Sequence, residues 1–350
     1  MQAILGVLFH SLGGIAAGSF YMPYNKVKGW AWESYWMVGG LMSWLIVPPI
    51  AAWLTAPGFT EIIGDASGSL LFFTYAMGLL WGIGGLSYGL GIRYLGMSLG
   101  NSVVLGFCAA FGALVPPLYY NMVPTTGKVA FSDMVASSGG QLVLLGVLVC
   151  VLGIAVCGWA GMMKEKELSE AEKKKSIAEF NLFKGLAVAI VSGILSAFFN
   201  FGIESGKPLA EAAIASGNDP LFANNVTFVV ILWGGLTSNL IWTGLRSLKN
   251  RSYTDFTNTD SPIAQNLLFS CLAGTVWFLQ FFFYGMGESK LGNGASSWIL
   301  HMSTIILTAN LWGIYRKEWK GVAGRTKTTI IFGILMILLS VVLVGIGNSI

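Results

Sequence analysis

Only two histidines occur in this 350-residue chain, His10 and His301, and both lie inside long apolar runs. An ionisable side chain is expensive to keep in lipid and is a functional candidate by default. An imidazole titrates near neutral pH, which suits reversible proton loading from an aqueous pocket; the alternative is a neutral ring hydrogen-bonded between helices. Three carboxylates join them as candidates for proton exchange. Glu33 follows Trp30 and Trp32 at the mouth of an apolar run, where anchoring that end, with Lys26, Lys28 or Arg93 as partner, is the preferred role over proton exchange. Glu204 stands one turn before Lys207, an ion-pair spacing, with Pro208 placed to help end the helix. Glu288 lies at the end of a further run.

Other chemistry is not indicated. Two histidines without a His-Glu-x-x-His or paired-cysteine spacing make no usual zinc site, so no metal is expected. There is no G-x-x-x-x-G-K-[ST] loop for a nucleotide, and no convergent acid and base, so neither a cofactor nor an enzyme is expected. Cys108, Cys150, Cys157 and Cys271 all fall within apolar runs and read as small packing residues.

The elements that must position these groups are ten apolar segments of roughly twenty residues each, the length of a membrane-spanning helix. Their approximate bounds are 3–21, 35–55, 70–92, 97–120, 139–162, 183–204, 223–246, 263–288, 294–315 and 328–348. Charge supports this division. Of the twenty Lys and Arg residues, seventeen fall in the odd-numbered gaps, from Lys26 to Lys327, and three in the even-numbered gaps: Lys128, Lys207 and Lys290. Positively charged loops stay on the cytoplasmic side, so the odd gaps face inward and both termini face the periplasm. Each histidine then lies about seven residues below the outer surface, roughly 10 Å deep at the helical rise. Charged residues make up 10% of the chain, far below a soluble domain, so an all-α polytopic membrane protein is expected. The lipid bilayer is the implied partner; nucleic acid is not. Although Ala16, Ala17 and Gly18 imitate a cleavage site, no basic region precedes the first run, which reads as a retained helix.

One composition break, KEKELSEAEKKKSIAE at Lys164–Glu179, separates five spans from five spans. The organisation expected is a first half over 1–163, a cytoplasmic charged linker over 164–182, itself open to forming a short helix, and a second half over 183–350. The halves repeat. Gly78, Trp81, Tyr88, Gly89, Gly91, Leu95 and Gly96 recur at a constant offset of 196 as Gly274, Trp277, Tyr284, Gly285, Gly287, Leu291 and Gly292. A weaker match joins Gly6, Gly14, Ile15, Phe20 and Lys28 to Gly185, Gly193, Ile194, Phe199 and Lys207. Five is odd, so the second half is inverted relative to the first, the arrangement by which secondary transporters alternate about a midplane site.

The strings KVKGWAWES (26–34), WGIGGLSYGLGIRYLGMSLG (81–100), SGKPLAEAA (205–213), WFLQFFFYGMG (277–287) and WILHMS (298–303) resemble the L-rhamnose–proton symporter family of the drug/metabolite transporter superfamily. The resemblance implies a bacterial inner-membrane carrier that imports L-rhamnose, or a related deoxyhexose, with protons. A carrier of another small neutral metabolite on the same fold, or sodium-coupled sugar uptake, are the alternatives. Such a sugar offers hydroxyls to neutral donors and acceptors and an apolar face to an aromatic plane. Trp81 and Trp277 are suited to stacking, and Gln280 shares a helical face with Trp277. Tyr88 and Tyr284 lie two turns along on the same side as their tryptophans; Asn101 and Asn200 are amides inside spans. Helix bridging and lipid contact are the alternative roles of these residues. His301, next to the WILHMS string and one turn from Trp298, is preferred over His10 as the proton group. Oligomeric state is not legible from the sequence.

Reporter fusions after Lys175 and Lys327 are expected to read cytoplasmic, and fusions after Asp219 and at Ile350 to read periplasmic. A cytoplasmic reading at Ile350 would break the ten-span count.

Overall fold

The computed structural model describes residues 2–124, 130–169, 171, 180–291, 294–347 and 350, and every regular element among them is a helix. In chain order they are α1 (Gln2–Ser19), α2 (Tyr21–Tyr24), α3 (Trp32–Gly40), a π-helical turn (Leu41–Ile46), α4 (Val47–Thr55), α5 (Phe59–Asp65), α6 (Gly68–Leu95) and α7 (Met97–Met122). There follow α8 (Phe131–Ala136), α9 (Ser138–Glu167), α10 (Leu182–Ser196), α11 (Phe198–Ala215), α12 (Asn224–Asn250), a 3-10 turn (Ser252–Phe256), α13 (Ile263–Leu291), α14 (Gly294–Tyr315) and α15 (Gly324–Gly347). Among the described residues nine candidate spans are long and apolar enough to cross a membrane: Ile4–Tyr24, Trp32–Thr55, Gly68–Leu95, Leu99–Met122, Ser138–Lys164, Leu182–Ala215, Asn224–Asn250, Ile263–Leu291 and Gly324–Gly347. They follow nine of the ten segments read from hydropathy. The remaining segment, 294–315, is helical as α14.

Three spans are interrupted. The first breaks at Phe20, between α1 and α2. The second carries the π turn, where the Val47 amide reaches back five residues to the Met42 carbonyl. Pro48 and Pro49 follow directly, and neither has an N–H to give to the carbonyl four residues earlier. The sixth span breaks between Ser196 and Phe198. By contrast Pro208 does not end its helix as expected: α11 runs on to Ala215, because a proline removes one donor without forbidding the turns beyond it. Of the charged linker, Lys164–Glu167 belong to the end of α9, and Lys173, Lys174 and Lys175 lie outside the described residues, as does Gly292 of the repeat.

The chain gathers into two compact units, 1–83 with 198–290, and 84–197 with 291–350. In the first, helices meet at glycines. A Cβ at Gly274 on α13 would strike the Gly39 carbonyl of α3; one at Gly78 on α6 would strike the Ile231 carbonyl of α12, and one at Gly82 would crowd the Gly235 backbone. In the second, α9 and α15 pack along their length through a seven-residue spacing. Gly139 abuts Gly347, Gly146 abuts Ser340 and Val344, and Gly153 abuts Gly333 and Ile337. Cys157 packs beside Gly333, and the Cys150 thiol donates to the Gly106 carbonyl at 3.4 Å. Gly96, at φ +84°, is the hinge of the one-residue connection from α6 to α7, a conformation few other residues tolerate.

The basic end of the second unit is clasped by side chains. Lys164, read from sequence as linker, is buried: its Nζ donates to the Glu318 carbonyl at 2.7 Å and lies 4.8 Å from the Trp319 ring centroid. Beyond the span, Glu167 accepts from the Ala323 amide at 2.7 Å and from the Thr326 hydroxyl at 2.5 Å. Those two donors, the hydroxyl first, hold its carboxyl below the usual carboxylate range.

Replacing Gly274 by Val should cost at least the about 1–3 kcal/mol of an overpacked core, because the obstacle is backbone. Gly244→Ala, where a Cβ meets nothing within 4 Å, should hold or raise the unfolding temperature in detergent, because alanine is the better helix former.

Candidate functional site

In the first unit Trp277 is the centre of an aromatic cluster. Phe20 stacks on it at 4.4 Å and 19°, and Trp44 meets it edge-on at 4.8 Å. Trp36 lies 5.1 Å away and Trp81 6.4 Å. Trp81 in turn contacts Trp44 at 5.9 Å, Phe199 at 5.0 Å and Phe281 at 5.6 Å. The depth of the cluster follows from the spans. Trp277 has fourteen residues on either side of it in Ile263–Leu291, and Trp81 has thirteen and fourteen in Gly68–Leu95. Trp44 has twelve and eleven in Trp32–Thr55; Phe199 has seventeen and sixteen in Leu182–Ala215. Four spans thus contribute an aromatic residue from their middle.

Polar groups border the rings. The Gln280 side chain, one turn from Trp277, is buried. Asn200, next to Phe199, is half-buried. Asn239 went unremarked in the sequence, yet it ties three helices together. Its Oδ1 accepts from Trp36 Nε1 at 2.9 Å, and its Nδ2 donates to the Gly82 and Gly235 carbonyls at 3.1 and 2.8 Å. A lone Asn in an apolar run was the available signal, since an amide in lipid needs a partner.

His10 lies in the same unit, against α13. Its ring meets Tyr284 edge-on at 5.2 Å and packs where a Cβ on Gly287 would sit. Glu288 follows one turn after Tyr284 and accepts from Asn224 Nδ2 at 3.0 Å, with the Lys207 charge acting on it. His10, Tyr284 and Glu288 are therefore gathered around the end of the helix that carries Trp277 and Gln280. Glu204 and Lys207 are both exposed.

Glu33 is buried at the opposite, basic end. Its partners are not the expected Lys26 and Lys28, which are exposed, but Asn250 Nδ2 at 2.6 Å and the Ser252 hydroxyl at 2.9 Å, with Arg246 as the neighbouring cation. The chain around it is stitched to the same loop. Asp255 accepts from the Ala31 amide at 2.8 Å and from the Ser34 hydroxyl at 2.6 Å, and Asn266 pairs with both backbone groups of Lys28 at 2.9 and 2.7 Å.

The second unit holds the other sequence candidates. The Tyr88 hydroxyl donates to Asn101 Oδ1, and His301 is buried on α14. Asn310 Nδ2 donates to Ser102 Oγ at 3.2 Å, and the indole nitrogen of Trp298 abuts Gly112. Among the described residues no group of His, Cys, Asp and Glu could hold a metal ion. A groove of about 480 Å³ lies between α5 and the end of α11, lined by Glu61, Asp65, Pro208 and Ser216 among others. It sits at the loop end of those helices, away from the mid-span rings, and has no aromatic or amide lining.

Comparison with known proteins assigns the chain. The family model described as L-rhamnose-proton symport protein (RhaT) matches residues 1–350. The chain belongs to the L-rhamnose-proton symporter family. Relatives named L-rhamnose-proton symporter, from Yersinia pestis (strain Pestoides F) and Yersinia pseudotuberculosis serotype O:1b (strain IP 31758), are each 38% identical over 352 residues, covering 99% of this chain and 98% of theirs. The family is one of transporters rather than enzymes, and its apolar helices make this member a multi-pass membrane protein.

Glu33→Ala strips Asn250 and the buried Ser252 of their acceptor and should lower stability by about 1–3 kcal/mol, the usual scale for a buried donor left unpaired. Thermal unfolding in detergent measures this; the pH dependence of transport should not move.

Proposed function

We propose that this chain imports L-rhamnose together with protons across the bacterial inner membrane, alternating access between two inverted five-span halves. The observation that carries the substrate is the family match over the whole chain, to relatives named for that sugar and that ion. The arrangement within the first unit supports it. Trp81 and Trp277, which correspond in the repeat, come together at mid-span, the depth at which inverted-repeat transporters hold substrate. Flat indole faces suit the apolar face of a deoxyhexose, and Gln280 suits a hydroxyl.

Two features support the inverted repeat and ten spans. Each compact unit draws on spans that correspond between halves: the second with the seventh in one, the fourth and fifth with the ninth and tenth in the other, α14 serving as the ninth, while the third and sixth are divided between the units. The repeat's glycines also behave alike. Gly78 of the third span meets the seventh span, and Gly274 of the eighth meets the second.

For coupling, the geometry favours His10 over His301. His10 packs on the same helix that carries Trp277 and Gln280, so its charge acts on the element that would hold the sugar. Glu288, one turn beyond Tyr284, gives a proton a second acceptor on that side.

In proteoliposomes with an imposed pH difference, the chain should concentrate labelled L-rhamnose. His10→Gln should abolish uphill accumulation and leave sugar exchange, which needs no net proton movement. If His301→Gln does so and His10→Gln does not, the proton group lies in the second unit. Gln280→Leu should weaken rhamnose binding by about 1–2 kcal/mol.

A further inference from the structure

The π turn of the second span places two polar side chains at mid-span, and neither is used by the fold. Trp44 is 1% exposed and Ser43 is fully buried, yet Trp44 Nε1 and Ser43 Oγ have no hydrogen-bond partner among the described residues. Buried polar groups in proteins are nearly always paired, because an unmade bond is a standing cost to the folded state. Nearby polar groups show the ordinary outcome: Trp36 Nε1 has Asn239, and Trp30 Nε1 has Ser261 at 3.2 Å. At position 44 a wholly apolar side chain would avoid that cost. The ring itself is part of the cluster, 4.8 Å from Trp277 and 5.9 Å from Trp81. The turn that presents both groups is a π-helical one, a backbone departure often found at functional sites.

We propose that Trp44 Nε1 and Ser43 Oγ are hydroxyl-recognition groups of the transport site, the indole N–H donating to one sugar oxygen and the serine hydroxyl pairing with another. This rests on the proposed sugar transport and adds polar contacts to the stacking faces of Trp81 and Trp277. It also makes Trp44 bifunctional, its ring packing in the cluster while its nitrogen meets the polar edge of the ligand.

The test is isothermal titration of the purified full-length protein with L-rhamnose, together with thermal unfolding in detergent, for wild type, Trp44→Phe and Ser43→Ala. Trp44→Phe keeps an aromatic ring but removes the indole N–H together with one fused ring, whereas Ser43→Ala removes a single hydroxyl. Trp44→Phe should weaken binding about tenfold, equivalent to 1.4 kcal/mol. Ser43→Ala should act in the same direction while the unfolding temperature stays or rises. Unchanged affinity in both variants would overturn the assignment, as would a marked loss of thermal stability in Ser43→Ala, since the hydroxyl would then serve the fold. The function reading fails separately: if wild type ignores L-rhamnose but binds another sugar from a panel of L-fucose, L-mannose and D-mannose, the variants titrated with that sugar decide this inference. Binding of none of them by wild type would overturn both.

Discussion

Helices surrounded by lipid gain little from hiding apolar surface from one another, so their arrangement follows from how closely their backbones can approach. In the first unit that approach is made at Gly274 on Gly39 and at Gly78 on Ile231, positions where any Cβ would collide with a carbonyl. The mid-span rings depend on these crossings. Trp277 stands three residues past Gly274 and Trp81 three past Gly78, one helical turn in each case. The spacing between glycine and tryptophan is a single device used twice: a glycine brings two helices together, and a large ring fills the wedge that opens one turn later.

Polar groups are arranged by the opposing rule that lipid offers them no partner. At the basic ends two buried charges are engaged. Glu33 takes Asn250 and Ser252, and Lys164 takes the Glu318 carbonyl and the face of Trp319. Both are charges brought out of water and held by fixed partners, so they stiffen the ends of the bundle while the breaks at Phe20, the π turn and Ala197 lie within spans. A structure anchored at its ends and irregular within its spans has its adaptable backbone where its aromatic cluster is.

Much of this was legible in the residues. The alternation of Lys and Arg between gaps, with the hydropathy, located nine of the spans, and the offset of 196 picked out the glycines that cross and the tryptophans that meet. What escaped was whatever depended on a partner from a distant segment. Asn239 is one polar residue in an apolar run until Trp36, Gly82 and Gly235 are placed around it. Ser43 and Trp44 looked like ordinary span residues, although Pro48 and Pro49 announced a disturbed helix just before them. Lys164 read as the start of a solvated linker because charge density cannot reveal that one member of a run folds back over Trp319. Tyr88 and Tyr284 correspond in sequence but not in setting: one donates to Asn101 and the other packs against His10.

The stack of Phe20 on Trp277 gives the proposed sugar site a mechanical character. A sugar face that packs on Trp277 on that side has to exchange places with the phenyl ring. An aromatic pair of this kind is worth about 0.5–1.5 kcal/mol beyond its buried area, so displacing it would lower apparent affinity by roughly tenfold at most, through the population of the open form. Phe20 sits at the break between α1 and α2, where the regular helical ladder is already interrupted and a small rotation disturbs few backbone bonds. The same span carries His10 three turns earlier, against the end of α13. Under the proposed sugar and proton roles, motion of the first span would register both ligands on one helix: the sugar through Phe20 and Trp277, the proton through His10 and Tyr284.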